Sequence, residues 1–302
     1  MNNARDIVKI LTEQQVEFEI VGPNLELKGF SSFSAQTPNS CTFIKEIDAD
    51  VLEALKLSVA DVFIVNRQPS YVDQSKTFVI VKNPRKIFFD LIRAVCGETP
   101  LEETYIHPTA IVSAKAKIGK KVFVGEYCVI GECEIGDCSS IKSYTKVHDG
   151  SVIGCNVEIH EYCNIGGIGF GHVWEGDEYV NQPHIGSVKV EDFVEIFPYT
   201  NVDRATLGIT RVGKGTKIDH FCHIGHNSQI NENNIIMCNS TLLGGAELGA
   251  KNVVCAGTMF RNGSKVGSEN FFGMRSSVLK PVQHKEFWYG GRLSSKKPPL
   301  ME

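Results

Sequence analysis

Between Asp219 and Asn227 the chain reads DHFCHIGHN, so one carboxylate, three imidazoles and one carboxamide fall within half a structural repeat. A neutral imidazole near pH 7 is suited to taking a proton from an attacking group, which makes His220, His223 and His226 candidates for general base chemistry. The same residues also suit an ordinary polar surface. His220 and His226 each stand two positions after an aliphatic residue, Ile218 and Ile224, six apart. They therefore lie on successive faces of whatever carries that period, and His223 occupies a different slot.

The period is the organising feature. Counting in sixes from Val212 gives Ile218, Ile224, Ile230, Ile236, Leu242, Leu248, Val254, Phe260, Val266, Phe272 and Val278. Four residues after these stand small ones: Thr216, Cys222, Ser228, Asn234, Ser240, Ala246, Asn252, Thr258, Ser264, Asn270 and Ser276. Neither a helix nor an alternating strand repeats every six. A hexapeptide β-helix does, with the large residue pointing into a triangular prism and the small one filling its corner. Three hexads make a coil, and coils stack as parallel strands about 4.8 Å apart. The neighbour of a residue on the next coil is thus eighteen positions on, and for His226 it is Gly244.

The same two columns begin at Ile106, Val112, Ile118, Val124 and Ile130. They slip by one residue around Val129 and continue through Ile135, Ile141, Val147, Ile153, Ile159 and Ile165. Two interruptions follow, and a solenoid can extrude extra residues only at a corner, where such loops carry function. One is GGIGFGHVWEGDEYVNQPH, residues 166–184, with Phe170, His172 and Trp174, a solvated loop or a substrate-covering flap. The other adds four residues between Val202 and Val212.

The first hundred residues read as a small α/β domain. Helices are predicted over Ala4–Gln15, Ala49–Leu57 and Pro84–Val95, and strands over Glu17–Val21, Leu25–Gly29, Asp61–Val65 and Thr77–Val81. Gly97–Glu103 reads as a linker. The fold class is therefore mainly β, a parallel β-helix of hexapeptide repeats over 104–282 with an inserted loop at 166–184, preceded by an α/β domain over 1–98. A C-terminal extension, 283–302, closes the solenoid or runs along a neighbour.

Bulk properties narrow the function. A net charge of −4 gives no electrostatic case for nucleic acid or an anionic membrane surface. Ten cysteines include no CxxC or metal-ligand pair. Cys128, Cys133, Cys163 and Cys222 fill corner slots, which suits free thiols in a reducing cytoplasm. No stretch approaches a membrane span, and the N-terminus lacks a leader pattern.

Nearly the whole chain resembles the UDP-3-O-acylglucosamine N-acyltransferases of lipid A biosynthesis. The resemblance lies in GFSSFSAQTPNSCTFI, VKNP, IHPTAIVSAKAKIG, GGIGFG, HIGSVKVEDFVEI, NVDRATLG and IDHFCHIGHN, in that order. It implies a left-handed β-helix that trimerises with sites between neighbouring subunits, and transfer of an acyl group from acyl carrier protein or acyl-CoA to a nucleotide amino sugar. No permanently bound cofactor or metal is implied. His226 matches the family's general base, Asp219 the residue that orients it, and the Gly244 backbone N–H the oxyanion donor. Phe43 matches a base-stacking residue of a uridine-binding first domain. Asn227, His220, His223, Ser264, Phe170 and Trp174 are the remaining candidates for substrate contact.

This chain departs from the family's pattern at ligand positions. Ser264 replaces a second histidine and also fits the small corner slot; Glu46 and Ala49 replace an asparagine and a tyrosine near the uridine; Ile168 replaces a polar residue. Three alternatives follow. The first is an acetyl-CoA-dependent N-acetyltransferase of another nucleotide amino sugar. The second is a gamma-type carbonic anhydrase with zinc on His220, His223 and His226, disfavoured because ligands three apart on a flat side do not converge. The third is a non-catalytic scaffold.

Overall fold

The computed structural model describes residues 3–70, 74–97 and 101–295, in two compact units, Met1–Thr99 and Pro100–Glu302. Part of the predicted linker, 98–100, and the last seven residues lie outside the described ones.

The first unit is a five-stranded sheet flanked by three helices. The sheet runs Phe18–Val21, Thr77–Val81, Val62–Val65, Ser40–Phe43, Gly29–Phe30, and only its first pairing is antiparallel. Alternation along Val62–Val65 explains why the whole strand is buried. Val62 and Ile64 join Ile7, Leu11 and Leu91 from the helices Ala4–Glu13 and Pro84–Cys96, whereas Phe63 and Val65 join Leu55 of Ala49–Lys56. Each helix starts on a side-chain cap, from Asn3, Asp48 and Asn83. The strand predicted over Leu25–Gly29 is displaced to Gly29–Phe30, because the Leu25 carbonyl accepts the Ala4 N–H at 2.9 Å and the Lys28 N–H goes to Asn39. Ser40–Phe43, four residues behind Pro38 and Asn39, was too short to be predicted as a strand.

The second unit is a three-sided parallel β-helix. Its sides begin at Tyr105–Ile106, Ile111–Val112 and Lys117–Ile118, called here the first, second and third. Coils pair eighteen residues apart, as in Lys217 with Ile235, Thr241 with Met259 and Glu247 with Lys265. The aliphatic column from Val212 to Val278 is buried throughout and forms one continuous core. The register slip is a seventeen-residue coil that pairs Lys117 with Glu134.

The small column is chemical as well as steric. Its hydroxyls and amides accept the corner N–H of the same slot one coil on, in Cys163 N to Thr145 Oγ1 at 3.1 Å, Asn252 N to Asn234 Oδ1 at 2.8 Å and Asn270 N to Asn252 Oδ1 at 2.9 Å. A buried corner amide would otherwise lack a partner. On the corner between the first and second sides, Tyr127, Tyr144, Tyr162, Tyr199 and Phe221 all adopt left-handed backbone angles, φ 56 to 62°. Their rings stack at 4.9 to 5.1 Å from coil to coil, which offsets part of that strain.

Beyond the repeats, Phe287–Tyr289 pairs with Phe271–Phe272 and turns back through Arg292–Ser294. Trp288 enters the core and closes the prism. Trp288→Ala should lower stability by about 3–5 kcal/mol, the range for large aromatic truncations, read as a shift of the denaturant midpoint.

Candidate active site

Both interruptions leave the solenoid at the same corner, between the second and third sides. The long one runs from Asn164–Gly167 on the second side to Ser187–Val190 on the third, and the short one from Asn201–Asp203 to Ile209–Val212. On the next coil that corner holds His226 and Asn227, and on the one after it Gly244 and Gly245. Register alone therefore stacks two loops, a histidine and a glycine pair in one column.

Hydrogen bonds fix the state of His226. The Asn227 Oδ1 accepts the Thr206 N–H at 2.9 Å, and its Nδ2 donates to the Leu207 carbonyl at 2.9 Å, which settles which end of the amide is oxygen. That oxygen lies 3.0 Å from His226 Nδ1, so Nδ1 carries the proton and donates; Thr206 Oγ1 is 3.5 Å from the same nitrogen. The lone pair is left on Nε2, which faces Gly244: a Cβ on that glycine would strike Nε2, and Asn262 Oδ1 is 2.9 Å from the same point. Glycine is required here by close approach.

The Gly244 N–H makes no hydrogen bond among the described residues. Some equivalent corner amides are capped from the next coil, Lys120 N by Asp137 and Glu132 N by Asp149 at 2.7 Å, and Ala250 N by Ser268 at 2.9 Å. An open backbone donor thus stands one coil from a bare imidazole nitrogen.

The long insertion supplies the other wall. Its arms His172–Glu175 and Glu178–Asn181 form an antiparallel hairpin, more ordered than the loop expected from sequence, with Trp174 on Tyr179 and Phe170 on His172. Its base carries His184, whose ring meets that of His226 edge to face at 5.0 Å.

The model for bacterial transferase hexapeptide (six repeats) matches residues 209–244. A UDP-3-O-acylglucosamine N-acyltransferase from Helicobacter pylori (strain HPAG1) is 30% identical over 267 residues, 82% of this chain and 76% of its own length. The chain belongs to the UDP-3-O-acylglucosamine N-acyltransferase family. UDP-3-O-acylglucosamine N-acyltransferase 1 from Legionella pneumophila (strain Paris) is 31% identical over 189 residues, 55% of this chain. The match spans about half, 52%, of that relative's length. Among solved structures, UDP-N-acetylglucosamine O-acyltransferase from Moraxella catarrhalis RH4 aligns with TM-score 0.57 at 22% identity, over 62% of this chain and 72% of its own. The Acinetobacter baumannii counterpart aligns equally well at 24%. These two likenesses establish the β-helix and nothing finer.

The expected partnership of Asp219 with His226 is corrected. Asp219 Oδ1 pairs with His220 Nδ1 at 2.6 Å and its Oδ2 takes the Cys238 N–H at 3.0 Å. Seven residues on a six-residue repeat carry the chain to the next corner, so Asp219 and His226 flank opposite edges of the second side. Partial burial pushes the Asp219 carboxyl up, but its bonds from the His220 ring and amide and the Cys238 amide outweigh this and hold it below the usual range. His223 lies on the flat side between the corners, near Asn201 at 3.1 Å and Asp203 at 3.6 Å. The three histidines of the motif thus go to three places. Among the described residues no group of three or more His, Cys, Asp or Glu is arranged to hold a metal.

Ser264, expected as a substrate contact, is a corner residue of the prism. It is 3% exposed, inside the small column. Phe170 and Trp174 are exposed on the insertion, and their ring contacts are with His172 and Tyr179. Asn227 binds His226 rather than standing free for substrate. Phe43, in the first unit, is half-buried and tilted against Phe88 at 5.0 Å. Sequence reading missed Thr206 and His184. Counting eighteen back from His226 reaches Gly208, inside the short interruption, and that count would have pointed to this wall.

Asn227→Leu should release the His226 tautomer, seen as loss of the single Nδ1–H form in histidine ¹⁵N NMR, whereas Asp219→Asn should leave it unchanged. A carboxyl whose folded pKa lies below the unfolded value stabilises above that value and loses the effect as pH falls through the folded one. Asp219→Asn should accordingly lower the melting temperature at pH 7 and converge with the parent as pH falls through the lowered folded value.

Proposed function

We propose that the chain transfers an acyl group from a phosphopantetheine thioester to the amine of UDP-3-O-acylglucosamine or a close nucleotide amino sugar, the N-acylation of lipid A assembly. The observation that carries this reading is the bare Nε2 of His226 set against the open N–H of Gly244. Family membership supports the amine as acceptor, because the relatives are named for that substrate.

The amine attacks the thioester carbon with its lone pair, and its proton passes to His226 Nε2, whose other nitrogen is held by Asn227. The carbonyl π electrons move onto oxygen, and the Gly244 N–H is placed to stabilise that charge. Collapse restores the carbonyl and breaks the C–S bond; the imidazolium returns its proton to the thiolate. Amine plus thioester becomes amide plus thiol, with no covalent enzyme intermediate and no bound cofactor.

Ile168, Phe170, Ile185, Leu207 and Leu243 are exposed around this corner in the single chain. We assign their cover to the acyl chain and to neighbouring copies in a homotrimer. Acyl carrier protein or coenzyme A presents the thioester, and Phe43 belongs to the uridine-binding unit. We place the enzyme in the cytoplasm. All ten cysteines are free, with burial pushing Cys133 to about 11 and Cys163 and Cys222 to about 12, which fits reducing conditions. No described helix is long and apolar enough to cross a membrane.

The test is mass spectrometry of products from UDP-3-O-acylglucosamine and other nucleotide amino sugars offered with 3-hydroxyacyl carrier protein, acyl-CoA and acetyl-CoA. Long-chain N-acyl product is expected. Turnover confined to acetyl-CoA replaces this reading with an N-acetyltransferase. His226→Ala should lower kcat by about 10²–10⁴-fold with the fold intact.

A further inference from the structure

We propose that His184 is a second substrate-contacting residue of the His226 site, its Nε2 accepting a hydrogen bond from the amine of the acceptor sugar. This rests on the N-acyl transfer reading above and names the residue that aims the amine.

The starting point is an unmet bond. His184 is 7% exposed, and its Nδ1 lies 2.9 Å from the Gln182 carbonyl oxygen. A carbonyl only accepts, so the proton is on Nδ1 and Nε2 is an acceptor. That Nε2 is buried and has no hydrogen-bond partner among the described residues. Buried polar atoms are seldom left so, and an orphan beside a reactive group points to a ligand that completes it.

Its location makes the ligand specific. The two rings meet at 78°, and a single point on the strand leaving the second side touches both. A Cβ on Gly169 would lie 2.8 Å from His226 Cβ and 2.9 Å from His184 Nε2. Gly169 belongs to a strap, GGIGFG, of which Gly169 and Gly171 face the histidines while Ile168 and Phe170 stand 70% and 85% exposed. Gly171 continues the cover, its Cβ position 3.0 Å from His184 Cε1. Nε2 lies under this strap, which has no side chains at Gly169 and Gly171, and the strap must shift for a ligand to reach it. A group that donates both to this nitrogen and to His226 Nε2 must bring two N–H donors. A primary amine does. One N–H gives its proton to His226 and onward to the departing sulfur; the other remains on the product amide and is the one His184 holds. His184 gains and loses no proton, and its contribution is to direct the amine lone pair at the thioester carbon.

Two variants and one titration test this. His184→Phe keeps the ring and removes the acceptor; it should raise KM for UDP-3-O-acylglucosamine about tenfold or more and leave the thioester KM unchanged. His184→Gln, with an amide oxygen in place of Nε2, should recover KM to within about threefold of the parent, as expected when one hydrogen bond is exchanged for another. A Phe variant with the parent's KM, or a Gln variant as impaired as the Phe variant, overturns the proposal. Should the Phe variant fail to fold, the parent protein decides alone. With histidine nitrogens labelled and UDP-3-O-acylglucosamine added without thioester, the His184 Nε2 resonance should move, and a resonance unmoved at saturating sugar overturns the contact. A shifted resonance without any amide formed by the parent protein would instead sink the assigned reaction and leave the contact standing.

Discussion

Everything in the second unit follows from the obligation of each strand to pair its backbone with the coil before and the coil after. With both neighbours fixed eighteen residues away, a side of the prism cannot absorb an extra residue without breaking two ladders. Additional chain can leave only where the ladder already turns. Two excursions on consecutive coils do so at one corner, and the coil that follows them is the one that carries His226. The site is thus a product of register: the loops need no long-range pairing of their own to find the histidine, because the solenoid has already brought their feet beside it.

The same constraint explains the polarity of the site. Corner amides are where the solenoid has donors outside the strand ladders, and several are capped by the same slot of the adjacent coil. Placing glycine after His226 in that column admits the imidazole against the backbone. His226 and His184 each give their Nδ1 proton to a fixed acceptor, Asn227 in one case and a backbone carbonyl in the other. Both present Nε2 as a lone pair. The corner therefore offers acceptors on one side and a single backbone donor on the other, which is the complement of an amine meeting a carbonyl.

Much of this was legible in the sequence, and the division is physical. The hexad columns state the prism outright, since core volume and corner sterics act on every repeat, and the four extra residues after Val202 show in the count. The step from His226 to Gly244 also needed only the period. Asp219 went wrong because a carboxylate seven residues from an imidazole looks adjacent in the chain, whereas a hexad turns it to another corner, where His220 is nearer. His184 was invisible for the opposite reason. It lies where the period is suspended, so no column predicts its direction, and only the reappearance of Ser187–Val190 in register sets its position. In the first unit the sheet core announced itself through apolar runs, while Ser40–Phe43 was hidden by its brevity and by the turn before it.

A scaffold of this kind also separates stability from chemistry. The aliphatic column and the stacked corner rings lie on every coil, so the loss of any one contact at the His226 corner removes little of what holds the prism. That corner is correspondingly built from residues that stabilise poorly: glycines at 166, 167, 169, 171, 225, 244 and 245, and a buried imidazole nitrogen left without a bond. Gly167, Gly169 and Gly171 contribute no packing area, yet a methyl group at 169 would displace both histidines. Their value is the space they leave. The repeat therefore tolerates, at one corner, a concentration of unfavourable features that a smaller core could not support, and that concentration marks the site more specifically than any single residue in it.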